Sequence, residues 1–373
     1  MIFIVLVFLL FGPASFYVGH RLWGCIRQFA PKLPRWTRWL FAGFSAALLA
    51  LVFIRSGVTG SLFLALGTAG AYWMGFFIYL LLFLLLSELV LLILRLFLGK
   101  TTQLRRCIAG LAALGLALGI SVYGFVHGME LETVSYDITV DKPMDAPLEL
   151  VLISDLHLGA AGSETRLEKT VAQINGMDPA LICIAGDVFD SNFAAIQNPE
   201  RVQALLRSLN APVYACLGNH DAGATAGQMV AFLESCQVTV LEDSYTVIDD
   251  RLLLVGRLDA RPIGSYGEKQ QRSALETVLQ DANTALPVVV MDHNPIHIGE
   301  YAAPVDLILS GHTHKGQLFP AGIITDLMYP ADYGYYRESP DSPQLIVSSG
   351  AGAWGMPMRV GSDCEIVSVT IHS

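Results

Sequence analysis

The uneven distribution of apolar residues is the strongest constraint on the fold, because four long apolar runs occupy the first 127 residues. The runs are Ile2–Val18, Trp39–Ile54, Tyr72–Leu94 and Ile108–Val126. A bilayer core about 30 Å thick needs roughly 20 apolar residues per helix, with about 17 as the short limit. We therefore predict a membrane domain over residues 1–127 with about four transmembrane helices.

The first run leaves an alternative open. It is short and is interrupted by Gly12 and Pro13, so a cleaved signal peptide is the rival interpretation. No basic residue precedes the run, whereas a signal peptide begins with a basic segment. Four spans is the prediction, and three is the alternative.

The charges in this part predict an orientation. Ten of the 23 basic residues but only one of the 33 acidic residues, Glu88, precede residue 128. The basic residues lie in two loops, with Arg21, Arg27, Lys32, Arg35 and Arg38 in one and Arg95, Lys100, Arg105 and Arg106 in the other. The loop between them, Ser56–Ala71, has no charge after Arg55. Because basic loops face the cytoplasm, both termini and the C-terminal part are expected outside it.

Glu88 is the one acidic residue within the apolar runs, near the end of the third. A carboxylate there is either a functional intramembrane group or a snorkelling or helix-paired residue. The position near the run's end favours the second interpretation. With no other acidic residue in these runs, a transport pathway through them is not expected.

The second part is acidic and has the pattern of an α/β domain. It carries 32 acidic and thirteen basic residues, and an acidic surface disfavours nucleic acid as a partner. From about Glu130, short β-branched runs alternate with predicted helices at Arg166–Asn175, Glu200–Leu209, Gly227–Ser235 and Gln271–Asp281. We predict a linker and first strand over residues 128–147 and an α/β domain over residues 148–373.

Five short segments of this domain concentrate metal-binding side chains, and nearly all directly follow a predicted strand. They contain Asp155 and His157, then Asp187, then Asn219 with His220 and Asp221, then His293, and finally His312 and His314. Loops at the carboxyl ends of strands are where α/β sheets bind ligands. Side chains two apart in an extended segment point the same way, so the first and last pairs can each reach one ion or two neighbouring ions.

The donor types predict the kind of metal centre. Aspartate, histidine and asparagine suit Mn²⁺, Fe or Zn²⁺ rather than a thiolate structural site. We expect two divalent ions, with Asp187 able to bridge them and Asn219 able to supply an amide oxygen. Two ions about 3.5–4 Å apart can activate a water and stabilise charge on a phosphoryl group. Each motif alone is a weak signal, but five in one order make coincidence an unattractive explanation.

These motifs resemble those of the calcineurin-like metallophosphoesterases, and all five occur in that family's order from about Leu148 onward. The segments Leu152–Leu158, Ser310–His314 and Gly350–Arg359 look like its branch of membrane-associated bacterial phosphoesterases. The resemblance implies a four-layer α/β/β/α sandwich with a dimetal site at one end.

The resemblance also implies a role for each residue of the motifs. One ion would be bound by Asp155, His157 and His314, the other by Asn219, His293 and His312, and both by Asp187. His220 would contact the phosphate and protonate the leaving group, and Asp221 would orient His220.

Two features lie outside this pattern. Lys315 stands where the branch commonly has glycine, so it either pairs with the substrate's phosphate or lies on the rim of the site. Trp354, Met356 and Met358 form an apolar group in a glycine-rich loop, for which core packing and contact with an acyl chain or bilayer are the alternatives.

Together these observations predict a membrane-anchored dimetal phosphoesterase. Its substrate is expected to be a phosphodiester, pyrophosphate or phosphomonoester, with a lipid-linked or envelope-derived ester as one candidate. The alternative is a non-catalytic metal-binding sensor or scaffold domain on a membrane anchor. A degenerate domain of that kind should have lost His220 or a ligand, and this chain has lost neither.

Overall fold

A computed structural model describes residues 2–54, 61–267 and 272–373 of the chain. These residues divide into two compact units. The first consists of residues 1–126 with Gly355–Pro357, and the second consists of the remainder, from His127 onward.

Four helices form the first unit, and each includes one of the predicted apolar runs. Their bounds are α1 (Ile2–Phe29), α2 (Thr37–Ile54), α3 (Ser61–Leu98) and α4 (Gln103–His127). Over Leu62–Leu98 and Gln103–His127 the last two are long and apolar enough to cross a membrane. Residues 61–71, predicted as a loop, belong to α3, whereas Arg55 to Gly60 lie outside the described residues. The count of four spans stays a prediction.

Glu88 is paired within this unit. Its Oε1 lies 3.0 Å from the Nη1 of Arg21, which joins α3 to α1. The Arg21 guanidinium also donates a hydrogen bond to Ser87. The interpretation of Glu88 as a helix-paired residue is therefore confirmed.

Two six-stranded sheets form the second unit. The first contains β1 (Glu132–Thr139), β2 (Leu148–Ile153), β3 (Leu181–Ala185), β4 (Val213–Cys216), β5 (Val238–Val240) and β12 (Glu365–His372), in the order β1-β12-β2-β3-β4-β5. The second contains β6 (Ser244–Ile248), β7 (Leu252–Gly256), β8 (Val288–Met291), β9 (Leu307–Ser310), β10 (Gly334–Tyr336) and β11 (Gln344–Val347), in the order β10-β11-β9-β8-β7-β6. The strands β2 to β5 are parallel, as are β7, β8, β9 and β11.

Successive side chains of a strand point to opposite faces of the sheet, so each sheet can pack against a different layer on each face. In β2, Leu150 and Leu152 face the other sheet, where they meet Leu254 and Leu309 in a shared core. Val151 faces the opposite way, into a core shared with helices α5 (Ser163–Asn175), α6 (Pro199–Arg207) and α7 (Ala226–Ser235).

The outer face of the second sheet is covered by the short helix α8 (Leu275–Val278) and irregular segments. The predicted α/β sandwich is therefore confirmed, with a fourth layer that contains little regular helix. This layering leaves the carboxyl ends of the parallel strands free of helix on one edge.

Two kinds of element differ from the prediction. Within the described residues, the helix predicted over Gln271–Asp281 is reduced to α8, and Gln271 itself lies outside them. The helix α9 (Ala321–Met328), which follows the motif of His312 and His314, was not predicted. The short strands β5, β6 and β10 were not predicted either.

Candidate metal centre

The strand ends bring the five predicted motifs together. Asp155 and His157 follow β2, Asp187 follows β3, Asn219 follows β4, His293 follows β8, and His312 and His314 follow β9. Potential ligand atoms of Asp155, His157 and His314 lie within 4.8 Å of one another, and so do those of Asp187, His293 and His312. These are two adjacent groups of three donors, and a third group, His157 with Asp190 and His220, shares His157 with the first.

The first group is fully buried and its atoms converge. The Nε2 atoms of His157 and His314 are 3.1 Å apart, and Nε2 of His314 lies 3.3 Å from Oδ1 of Asp155. The other carboxylate oxygen of Asp155 accepts a hydrogen bond from the backbone N–H of His312 at 3.0 Å. One oxygen thus fixes the side chain, and the other faces the two imidazoles.

One carboxylate oxygen of the second group also faces the first group. Oδ2 of Asp187 lies 3.1 Å from Nε2 of His293 and 3.9 Å from Nε2 of His157. Nδ1 of His312 lies 3.2 Å from the same His293 nitrogen. Because one carboxylate oxygen faces both groups, Asp187 occupies the position that a bridging ligand needs.

Unpartnered buried oxygens provide a test of whether cations fit here. Oδ1 of Asp155 and Oδ1 of Asn219 are buried and have no hydrogen-bond partner among the described residues. A buried polar atom without a partner is costly, by roughly 1–3 kcal/mol, so such atoms call for a ligand. Oxygen and imidazole donors suit divalent cations. The residues present therefore fit two divalent ions.

A hydrogen bond determines which ring nitrogen of His293 is available to bind a metal ion. Its Nδ1 lies 2.8 Å from the carbonyl oxygen of Ala185, which can only accept, so Nδ1 carries the proton. The Nε2 atom is then the one that faces Asp187. Such outer hydrogen bonds are what orient histidine ligands in metal sites.

Negative charge dominates around His293. Burial alone would lower the pKa of His293, but the carboxylates of Asp187, Asp155 and Asp259 together outweigh it and raise that pKa well above its usual range. Although burial opposes ionisation of Asp187, the positive charge on His293 lowers the pKa of its carboxyl group. A divalent ion would compete with this proton for Nε2.

The two histidines of the last motif are held neutral. Burial, reinforced by the positive charge of His293, lowers the pKa of His312 to about 3. Burial and the guanidinium of Arg359 lower the pKa of His314 well below its usual range. Neutral imidazole is the form that binds a metal, so both side chains are in ligand form at neutral pH.

His220 and Asp221 occupy different environments. The Nδ1 of His220 lies 2.5 Å from the hydroxyl of Ser191, and the ring lines the same cavity as the ligands. The carboxylate of Asp221 is buried and accepts backbone N–H groups of Val188, Phe189 and Gly218 at 2.8–3.2 Å. The expectation that Asp221 orients the His220 ring is therefore corrected: Ser191 contacts the ring, and Asp221 holds the loops.

Arg359 is a residue of the site whose role was not predicted. It is fully buried, and its guanidinium donates to the carbonyl oxygens of His314, Ser349 and Gly352 at 2.6–3.0 Å. It ties the last motif to the glycine-rich loop over residues 349–352. Its position 45 residues after His314 gives no local signal of that contact.

Lys315 and the loop that carries Trp354 and Met358 have the following contacts. The Nζ of Lys315 lies 4.1 Å from the centre of the Tyr333 ring, so its charge rests on an aromatic face, and its role toward a substrate stays a prediction. Met358 is fully buried, as core packing predicts, whereas Trp354 is 45% exposed. The ring centre of Trp354 lies 6.0 Å from that of His220.

A cavity of about 330 Å³ opens over these groups. Its lining includes four histidines and the side chains of Asp187 and Asn219; the histidines are His157, His220, His312 and His314. It also includes the apolar side chains of Ala321, Ile324 and Trp354. The cavity is large enough for a phosphate group with part of its substituent.

Comparisons with known proteins agree with this geometry. The family model of the calcineurin-like phosphoesterases matches residues 148–316. The chain is 31% identical over 260 residues to an uncharacterised metallophosphoesterase of Aquifex aeolicus, covering 69% of this chain and 97% of that protein.

Two further relatives have descriptive names. A Danio rerio "Transmembrane protein with metallophosphoesterase domain" is 31% identical over 268 residues, which cover 68% of this chain and 60% of that protein. The "UDP-2,3-diacylglucosamine pyrophosphatase LpxG" of Chlamydia trachomatis is 24% identical over 270 residues, covering 56% of this chain and 78% of that protein. The chain thus spans less than two thirds of its Danio rerio relative. With its motifs, its fold and these matches, the chain belongs to the calcineurin-like phosphoesterase family.

Proposed function

We propose that this protein is a membrane-anchored phosphoesterase that hydrolyses a phosphate ester at a centre of two divalent metal ions. The observation that carries the proposal is the position of Asp187, whose Oδ2 faces both groups of donors. A structural site for one ion has no need of a shared carboxylate between two such groups. The pair of groups is what two-metal hydrolysis requires.

Each residue has a part in this proposal. Asp155, His157 and His314 would hold one ion, Asn219, His293 and His312 would hold the other, and Asp187 would face both. The ions, of which Mn²⁺, Fe and Zn²⁺ are the candidates, would supply activation of water and neutralisation of phosphoryl charge. Hydrogen bonds hold the side chains of Asp155, Asp187 and His293 in place, which limits reorganisation during the reaction.

His220 is the proposed proton donor to the leaving group. Its Nδ1 is occupied by Ser191, so Nε2 is the nitrogen available to a substrate in the cavity. Burial lowers the pKa of His220 and the Asp187 carboxylate opposes that effect. A histidine that titrates with substrate bound can donate a proton as the ester bond breaks.

The membrane location and the substrate class belong to the proposal as well. Two long apolar helices and the basic loops of the first unit support a multi-pass anchor with the catalytic unit outside the cytoplasm. The names of the Danio rerio and Chlamydia trachomatis relatives support membrane association and a lipid-linked ester or pyrophosphate as candidate substrates.

Hydrolysis by the full chain in lipid nanodiscs tests the proposal. Bis-p-nitrophenyl phosphate and p-nitrophenyl phosphate are supplied after chelation and again with Mn²⁺, Zn²⁺ or Mg²⁺ restored. We expect metal-dependent turnover that Asp187→Asn abolishes, and the ratio of the two rates reports preference for diesters. A folded chain that binds two ions but turns over neither ester would favour the sensor or scaffold alternative.

A further inference from the structure

The helix α9 presents apolar side chains to solvent instead of to a core. No residue of α9, all of which the structure describes, is buried. Ile323 is 57% exposed, Leu327 is 81% exposed, and Ile324, Met328 and the preceding Phe319 are similarly exposed. Helices of globular domains direct their apolar stripe inward, so packing of this unit does not explain the composition of α9.

α9 is nonetheless fixed in place beside the last motif. The hydroxyl of Thr325 donates to the carboxylate of Asp332 at 2.7 Å. The backbone of Gly316 approaches that of Gly322 so closely that a methyl group on Gly316 would overlap it. The helix is therefore built against the loop that carries His314.

The exposed face continues into the catalytic cavity. Ala321 and Ile324 line the same cavity as the ligand residues, together with Trp354. The side-chain amide of Gln317 donates a hydrogen bond to the carbonyl oxygen of Trp354 and accepts one from its backbone N–H, both at 2.9 Å. An apolar path thus runs from beside His220 across Ile324 to Leu327.

We propose that this platform, formed by Phe319, Ile323, Ile324, Leu327, Met328 and Trp354, holds the hydrocarbon chain of an amphiphilic phosphate ester whose phosphate lies at the metal centre. The inference rests on the proposed function and names its substrate class. The lining residues Ala321, Ile324, Thr325 and Trp354 carry no charge. They offer few of the hydrogen-bonding groups that fix the orientation of a nucleotide or sugar, whereas a hydrocarbon chain needs none.

Contact with this surface should increase the affinity for a substrate as its hydrocarbon chain lengthens, and that increase can be measured. Each methylene that is fully removed from water improves binding roughly fourfold. Half-covered methylenes on an open platform gain less. We therefore expect kcat/KM to rise by at least about tenfold from a methyl to an octyl ester.

The test uses the full chain in nanodiscs with Mn²⁺ restored. The substrates are methyl, butyl and octyl p-nitrophenyl phosphodiesters, each below its micellar concentration. The octyl-to-methyl ratio of kcat/KM is compared between the wild type and the double variant Ile323→Ser, Leu327→Ser, neither of which lines the cavity. The platform predicts a ratio of at least about ten in the wild type, reduced severalfold in the variant.

The control variant is Val247→Ser, at an exposed apolar position on β6 outside the cavity, and it should keep the wild-type ratio. A wild-type ratio near one would overturn the inference. A high ratio that persists in the double variant would also overturn it, because the gain would then come from partition into the bilayer. If the double variant keeps the octyl-to-methyl ratio of the wild type but forms fewer dimers, the inference is also overturned, because the platform would then be a contact surface for a second copy of the chain.

The experiment distinguishes failure of the proposed phosphoesterase function from failure of the platform. If even the methyl ester shows no metal-dependent turnover, the proposed function is contradicted and the platform with it. If the methyl ester turns over but chain length has no effect, only the platform is contradicted.

Discussion

Five residues of the site have an unfavourable backbone conformation. Asp155, His157, Asp187, His312 and His314 all have φ between 45° and 74°, in the left-handed region. A residue with a side chain in that region costs of order 1–3 kcal/mol, and such residues cluster at functional sites. Five strained residues in one site indicate that the orientation of these side chains is achieved at a cost to the free energy of unfolding.

Asp221 illustrates a residue whose contribution is structural. Its carboxylate accepts three buried backbone N–H groups. We predict that Asp221→Ala lowers the free energy of unfolding by about 3 kcal/mol, because those groups lose their acceptor. Thermal and chemical denaturation measure the loss.

The control for Asp221 is the exposed aspartate Asp326, at which Asp326→Ala should change stability by less than about 0.5 kcal/mol. Equal effects of the two substitutions would contradict the role assigned to Asp221.

His220 should show the opposite behaviour, affecting the reaction but not the fold. We predict that His220→Ala lowers kcat by about 10²–10⁴-fold for methyl phenyl phosphate, which needs protonation of its leaving group. The loss should be much smaller for methyl p-nitrophenyl phosphate, whose leaving group is a stable anion. Metal content and melting temperature serve as controls and should not change. Equal losses for both esters would rule out a proton-donor role.

At the scale of elements, the loops after parallel strands build the site. Glycines permit the close approach of these loops: a methyl group on Gly218 would overlap the Asp187 carboxylate, and one on Gly311 would overlap the Asp155 carboxylate. These glycines precede Asn219 and His312 and are part of the motifs because two loops meet there.

We predict that Gly218→Ala removes bound metal from the centre, because the added methyl group displaces the shared carboxylate. Metal content per chain is the measurement. Gly227→Ala on α7 is the matched control, since nothing lies near its added methyl group. Full metal content in Gly218→Ala would contradict this account of the loops.

The buried strands were predictable from sequence to within one residue or none. The sequence predicts strands over Leu148–Ile153, Leu181–Ala185 and Val288–Met291, and these are the bounds of β2, β3 and β8, because strands that are buried on both faces form continuous apolar runs. The motifs that follow them could be placed at strand ends for the same reason.

Other elements gave no usable pattern. The strands β5 and β10 have three residues each, too few for a periodic signal. The helix α9 has an apolar composition that packing within the unit does not require, so a core-facing pattern could not reveal it. The contacts of Ser191 with His220 and of Arg359 with His314 join distant segments, and only the fold brings them together.

At the scale of the whole molecule, charge and hydropathy separate two environments within one chain. Ten of the 23 basic residues and one of the 33 acidic residues precede residue 128, and the excess of acidic residues lies in the α/β unit. Bound divalent cations would neutralise part of that negative charge at the centre.

The orientation proposed for the first unit can be measured by cysteine labelling. With a membrane-impermeant maleimide on intact cells or spheroplasts, Asp341→Cys in the α/β unit should be labelled. Lys100→Cys, in a basic loop, should be labelled only after permeabilisation, because basic loops face the cytoplasm. The wild type provides the control, since its six cysteines are buried. The reverse labelling pattern would invert the proposed topology.

The most direct test of the central claim is the number of divalent ions bound per chain, measured by elemental mass spectrometry on full-length protein equilibrated with Mn²⁺. The arrangement of the two donor groups predicts about two ions in the wild type and about one in His293→Ala, which removes a donor from one group. It predicts a loss from both positions in Asp187→Asn, because Asp187 faces both. Two ions retained in Asp187→Asn, or no more than one in the wild type, would contradict a shared two-metal centre.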